Sequence, residues 1–177
     1  TPEQLRLGSD AWQALTADDP AALLALIKTG TPALPMLGTA LHRHLQQLPD
    51  LDCGLGLTEH LSLQILEREG ALPTGKVFAA LMRHDEPLPY LGDLMFWWLL
   101  QPLLAGPTPL LHIDSSEADW PRRVIQLSPQ GQAVVQGKAD GFNCRATGYW
   151  VGGVALQPGQ PHWRYDPAQQ RLHRHSG

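Results

Sequence analysis

The stretch Leu91-Gly92-Asp93-Leu94-Met95-Phe96-Trp97-Trp98-Leu99-Leu100, followed by the runs Leu110-Leu111-His112-Ile113 and Val124-Ile125-Gln126-Leu127, decides the fold. The first reads as a helix that Gly92-Asp93 introduces, Asp93 standing where a helix N-terminus favours a carboxylate. The two apolar runs are too short for helices. A polar stretch containing Pro121-Arg122-Arg123 separates them, so they read as a β-hairpin with a long loop. Upstream, Thr58 can cap a helix running to about Glu69, with Leu61, Ile65 and Leu66 along one side, and a short helix covers about Val77 to Arg83. Downstream, Ser128-Pro129 starts a helix that ends near Gly137. Three helices, a ribbon and a further helix give a winged-helix-like layout.

Toward the N-terminus the chain reads as short helices. Thr16-Ala17-Asp18-Asp19 has capping-box spacing ahead of Pro20, and Ala21 to Lys28 follows, stopped by Gly30. Thr31-Pro32 opens another helix along Leu34, Leu37, Leu41, Leu45 and Leu48, which Pro49 ends. Asp50 to Gly56 reads as a hinge. Toward the C-terminus, Tyr149 to Leu156 reads as a strand, with turns at Pro158-Gly159 and Asp166-Pro167 flanking His162 to Tyr165 and Arg171 to His173. The expected class is α+β: N-terminal helices, a winged-helix-like domain and a C-terminal antiparallel β-meander that extends the wing sheet. The corresponding segments are residues 1–52, 53–140 and 141–177, with the meander packed on the core.

Composition narrows the class. The 177 residues are 43% hydrophobic, enough for a core, and only 17% charged. With 17 Gly and 16 Pro, turns are frequent. No apolar run approaches the ~18 residues of a transmembrane span. Net charge is -4, divided as -3 over residues 1–54, -5 over 55–118 and +4 over 119–177. Only the last third therefore suits an anionic partner. Cys53 and Cys144 belong to no CxxC and read as reduced, buried thiols of a cytoplasmic protein. The Thr1-Pro2 start fits a processed chain or a piece of a longer one.

No catalytic, cofactor-binding or metal-ligating motif stands out. Gly70 to Lys76 has GxxxxGK spacing, but it lacks the following Ser or Thr, follows a helix, and loses one N–H to Pro73. Gly54-Leu55-Gly56 lacks a third glycine and a preceding strand. His42 and His44, two apart on a helix, diverge, while His173 and His175 share a face if they lie on a strand. Asp85, Glu86, Asp93, Asp140 and Asp166 are candidate acids whose convergence sequence does not establish. Ser115-Ser116-Glu117 carries no nucleophile pattern. The aromatic signal is stronger: Phe96, Trp97 and Trp98 span about 200° of a helix, so they cannot all face one core. The helix from Leu91 to Leu104 has no Lys or Arg, which disfavours insertion into a DNA groove.

The segments GLTEHLSLQIL (56–66), LGDLMFWWLL (91–100), LSPQGQAVVQGKAD (127–140) and YWVGGVAL (149–156) resemble the C-terminal region of an uncharacterised bacterial family, the DUF1835-domain proteins. The resemblance spans roughly residues 10–172. It implies an N-terminal α/β domain ahead of a helical and winged-helix-like region. Its shared positions fall on Gly92, Asp93, Phe96 and Trp97, on Gly137 and Asp140, on Trp150, Gly152 and Gly153, and on Trp163 and Asp166. Arg145 to Tyr149 departs from the family's Asn-Gly-Ile-Asp-Arg. Three readings follow. The first is a non-catalytic interaction or regulatory module whose partner is a protein or the missing N-terminal domain, with a candidate interface at Asp93, Trp97, Trp98, Asp140, Trp150, Trp163 and Asp166. The second is a DNA-binding regulator. The third is an accessory domain that completes an enzyme site with that missing domain.

Overall fold

The computed structural model describes residues 1–177 and has N-terminal helices followed by small antiparallel sheets, with no barrel or closed sheet. The helices are α1 (Pro2–Thr16), α2 (Ala21–Thr29), α3 (Pro35–Leu45), α4 (Leu57–Glu69), α5 (Thr74–Ala80), α6 (Asp93–Leu104) and α7 (Pro129–Val135). The strands are β1 (Leu72–Pro73), β2 (Leu111–Ile113), β3 (Val124–Leu127), β4 (Tyr149–Val151), β5 (Val154–Leu156), β6 (His162–Asp166) and β7 (Arg171–His175). The chain forms two units: Thr1–Leu51 with Gly148–Gly177, and Asp52–Thr147.

The first unit combines α1 to α3 with two hairpins. Thr16 does not cap α2. It is the last residue of α1, and its hydroxyl donates back to the Trp12 carbonyl at 2.8 Å, a local bond that competes with capping. Asp19 serves α2 instead, accepting the Ala21 N–H at 2.8 Å. Thr31 closes a turn before α3, donating to the Leu34 carbonyl and accepting the Gly38 N–H, so the helix starts at Pro35.

Tyr149 to Leu156 is a hairpin rather than one strand, because Gly152 adopts φ 58° and turns the chain. Gly153 donates to the Leu15 carbonyl at 2.9 Å. A side chain there would meet the Thr16 carbonyl oxygen at 2.1 Å. The second hairpin pairs His162 with His175 through Asp166 with Arg171. The two hairpins are separate sheets, and neither continues the sheet of the second unit. The expected meander is thus interrupted between β5 and β6, where Pro158 and Pro161 each lack an N–H for a ladder.

In the second unit, β3 pairs antiparallel with both β1 and β2, giving the order β1-β3-β2. Thr74 starts α5 by donating its N–H and its hydroxyl to the Arg123 carbonyl, at 2.9 and 2.8 Å. Gly70 to Lys76 is therefore a strand–helix junction tied to β3. A π turn, Leu81–Asp85, follows α5 and closes with the Glu86 N–H on the Leu81 carbonyl at 2.8 Å. Ser128 caps α7 as the sequence requires, accepting the Gly131 N–H at 2.9 Å.

The core of this unit takes Phe96, Leu100 and Leu103 from α6, an i, i+4, i+7 stripe, against Leu63, Ile65, Val77, Leu81 and Ile125. Phe96 is the inward aromatic and packs 5.3 Å from Phe78. Trp97 is half-buried and stacks on Trp120 at 5.4 Å, while Trp98 is exposed. The N-cap is Gly92, and Asp93 is the first helical residue, accepting the Leu94 N–H at 2.8 Å.

Phe96→Ala is expected to cost about 3–5 kcal/mol, Trp97→Ala less, and Trp98→Ala no more than about 0.5 kcal/mol. Urea unfolding followed by circular dichroism checks the order.

Candidate functional site

Polar groups are buried at the start of α4. Thr58, Glu59 and Ser62 are all inaccessible there, and Glu59 forms an ion pair with Arg145, itself buried. Burying two charges is costly unless they pair closely, so this contact fixes the 138–147 segment against α4. Glu59 also accepts the Gly56 N–H at 3.4 Å, satisfying one donor of the first turn. A second tie joins the same segments: the Gly141 N–H donates to the Cys53 carbonyl at 2.7 Å. Gly54 has φ 70°, and the Asp140 carboxylate lies so close that a side chain at position 54 would meet Oδ1 at 2.6 Å.

The two cysteines are buried and neither forms a disulfide. Burial pushes the Cys144 thiol up; its contact with the Gln130 amide, 3.6 Å away, opposes the shift and the Asp140 charge adds to it. Cys144 is therefore protonated at neutral pH and suits packing better than nucleophilic chemistry. Cys53 differs in having an imidazole beside it: its Sγ and a ring nitrogen of His60 lie within 4.8 Å of each other. His60 Nε2 is 3.2 Å from the Gln64 amide nitrogen, one helical turn further along α4. A thiol and an imidazole are two of the donor types that a borderline-soft metal ion takes.

The residues predicted as an interface divide between the units. Asp93, Trp97, Trp98 and Asp140 belong to the second, and Trp150, Trp163 and Asp166 to the first. Each has a local setting. Asp140 Oδ1 accepts the Phe142 N–H at 2.9 Å. Trp150 is exposed on β4. Trp163 lies 5.2 Å beneath the Arg174 guanidinium. Asp166 accepts the Ala168 and Gln169 N–H groups at 2.9 and 3.0 Å, shaping the β6–β7 turn. Of the other acids, Asp85 pairs with Arg68 at 3.1 Å, and Glu86 is buried and accepts the Leu88 N–H. Ser116 donates its N–H to Asp114, ordering the ribbon loop.

The first unit has its own buried polar face. His162 is fully buried; its Nδ1 lies 2.8 Å from the Gln160 carbonyl and its Nε2 accepts Arg164 Nε at 3.2 Å. Those partners fix the neutral tautomer protonated on Nδ1. His173 and His175 share that face on β7, and His175 packs on His162 with ring centroids 5.0 Å apart. His42 meets the Tyr165 ring edge-on at 6.0 Å, while His44 Nε2 faces the β4–β5 turn at Gly152.

Cys53 and His60 are the residues that sequence reasoning missed. Their usable signal is a thiol three positions before the N-cap glycine of α4 and a histidine in its fourth position, joined by the Gly54-Leu55-Gly56 turn. No protein-family model, no curated protein and no solved structure matches the chain.

The His44 pKa is lowered by burial and by the Arg43 charge. Folding therefore favours its neutral form. The associated stability is present above the ordinary imidazole value of about 6.5 and is lost as pH falls through the depressed folded value. His44→Gln is expected to lose less stability than the parent between pH 7.5 and pH 5, as read from urea midpoints at the two values.

Proposed function

We propose that this chain is an accessory module that contributes a polar site to an enzyme completed by another domain. The observation that carries this reading is the buried Glu59–Arg145 pair on the segments that also bear Cys53 and His60, beside the buried hydroxyls of Thr58 and Ser62. An apolar pair of similar volume would hold α4 to the 138–147 segment with less desolvation. Ionic groups in that position suit a chemical role better than a packing role. The resemblance to the DUF1835-domain family supplies a candidate for the completing domain, the N-terminal α/β domain its members carry.

Stability measurements test this. Removing one partner, in Glu59→Ala or Arg145→Ala, is expected to cost about 3–5 kcal/mol. The double replacement Glu59→Leu/Arg145→Met is expected to be neutral or stabilising by about 1–4 kcal/mol. A double variant as unstable as the singles would make the pair a structural requirement and remove the basis of the reading.

A second reading is an interaction module of winged-helix type. It is favoured by the order α4-β1-α5-α6-β2-β3 with sheet order β1-β3-β2, and by the solvent-facing Leu94, Met95 and Trp98 of α6. Such a patch suits a protein partner. It does not suit a duplex, since α6 carries Asp93 and no cation. Duplex DNA is therefore expected to bind no more tightly than about 10 μM near physiological salt. Submicromolar affinity that falls steeply with salt would replace both readings with a DNA-binding regulator.

A further inference from the structure

We infer that the exposed face of α6 docks a basic amphipathic helix of a partner protein; the proposal rests on the interaction-module reading and deepens it by naming what the face takes. Of the five large apolar side chains that the second unit exposes, four lie between positions 90 and 98: Tyr90, Leu94, Met95 and Trp98. The last three share one face of α6, Leu94 and Met95 standing one turn before Trp98. They are 54–67% exposed, whereas Phe96 and Leu100 on the opposite side are 0% exposed. Apolar residues scattered singly need no explanation, but a contiguous group of this kind marks an interaction surface.

The charges around this face select the partner. From His84 to Asp119 the chain has six Asp and Glu and no Lys or Arg. Asp85 pairs with Arg68, Glu86 is buried, and Arg122 offsets Asp119 at 4.0 Å. Asp93, Asp114 and Glu117 are exposed and outside any ion pair. They border the apolar face on one side. Asp93 lies one turn before Trp97, and Trp97 stands beside Leu94 at the i+3 position. The 5.4 Å stack of Trp97 on Trp120 docks the β2–β3 loop, which carries Asp114 and Glu117, along that edge. The loop is ordered within the free chain: Ser116 donates its N–H to Asp114 at 2.9 Å, and Arg123 donates to the Glu117 and Ala118 carbonyls at 2.9 and 3.0 Å. Docking then requires little further ordering of it.

An apolar strip one helix wide with an anionic border takes a helix whose apolar anchors recur at i, i+3 and i+4 and whose flank carries Lys or Arg. Met95 can repack against anchors of varied shape, and Trp98 supplies the large desolvating contact on which binding energy concentrates. A second copy of the chain is a poorer fit. A twofold contact through α6 would set the anionic border near its own image, with no cation between 84 and 119 to meet it.

The probe is a fluorescein-labelled peptide of about 18 residues, long enough to form a helix on a surface, with Leu at i, i+3, i+4 spacing and Lys elsewhere. A control peptide has Glu at every Lys. Fluorescence anisotropy with the full chain is expected to give saturable, micromolar binding of the Lys peptide that weakens as salt rises from about 0.05 to 0.3 M. The Glu peptide is expected not to bind. Trp98→Ala should weaken binding at least about tenfold. Asp93→Asn and Glu117→Gln should each weaken it by about two- to fivefold; the first keeps an acceptor for the Leu94 N–H, and the second leaves the carbonyls that Arg123 holds untouched. Trp150→Ala, in the other unit, should leave binding unchanged.

Lys-peptide binding that is unaltered in Trp98→Ala overturns the inference. So does a dimer of the free chain that Trp98→Ala dissolves, which would give the face to a second copy. Should Trp98→Ala fail to fold, Met95→Gln decides on the same criterion. The two peptides separate this inference from the reading beneath it. A Glu peptide bound through Trp98 would reverse the partner's charge and leave the interaction module standing. Neither peptide bound at about 100 μM would overturn the inference and also remove α6 as the module's docking surface.

Discussion

Strand β3 is the constraint on which the second unit depends. Ile125, fully buried, stands opposite Leu72 of β1 on one side and Ile113 of β2 on the other. One four-residue strand thereby joins the α4–α5 hairpin to the ribbon that follows α6. Its neighbour Arg123 accepts two bonds from Thr74 and so fixes where α5 begins. With both edges of β3 paired, α6 has one way to present its Phe96, Leu100 and Leu103 stripe to the core. Trp97 and Trp98 are left toward the ribbon loop and toward solvent by helical geometry alone.

Much of this architecture was legible in the residues. Ser128-Pro129 specified a cap and a first turn, the apolar runs before and after the long loop specified β2 and β3, and Gly92-Asp93 specified the start of α6. What could not be read there was non-local. β1 is two residues long and exists because β3 offers a partner edge; no periodicity survives in two residues. Gly152-Gly153 inside an apolar run leaves one strand and two equally plausible by alternation. The turn is selected by contact with the end of α1.

The candidate site was less legible than the fold, for the same physical reason. Glu59 and Arg145 lie 86 positions apart, and neither has a neighbour in sequence that announces the other. Charged residues in a helix's first turn and in a loop ordinarily face water, so burial of this pair is a property of the fold. Cys53 and His60 are near in sequence, yet they straddle a turn and a helix start, where a fixed spacing carries little information about distance. The aromatic residues, by contrast, are conspicuous in the sequence, and the structure gives most of them individual settings: Trp97 on Trp120, and Trp163 beneath Arg174.

The first unit is discontinuous: Thr1–Leu51 and Gly148–Gly177 form it together, with Asp52–Thr147 set between them in the chain. Order of synthesis then separates the two units in time. The inserted unit has all of its strands and helices once Thr147 has left the ribosome. Helices α1 to α3 emerge earlier but must wait for the two hairpins, because the acceptor carbonyls of Leu15 and Pro49 meet their donors, Gly153 and Tyr165, only at the end of the chain. Closing so long a loop is slow in an unconstrained chain. Prior folding of the insert removes most of that loop's freedom, so the unit that is encoded first is completed last.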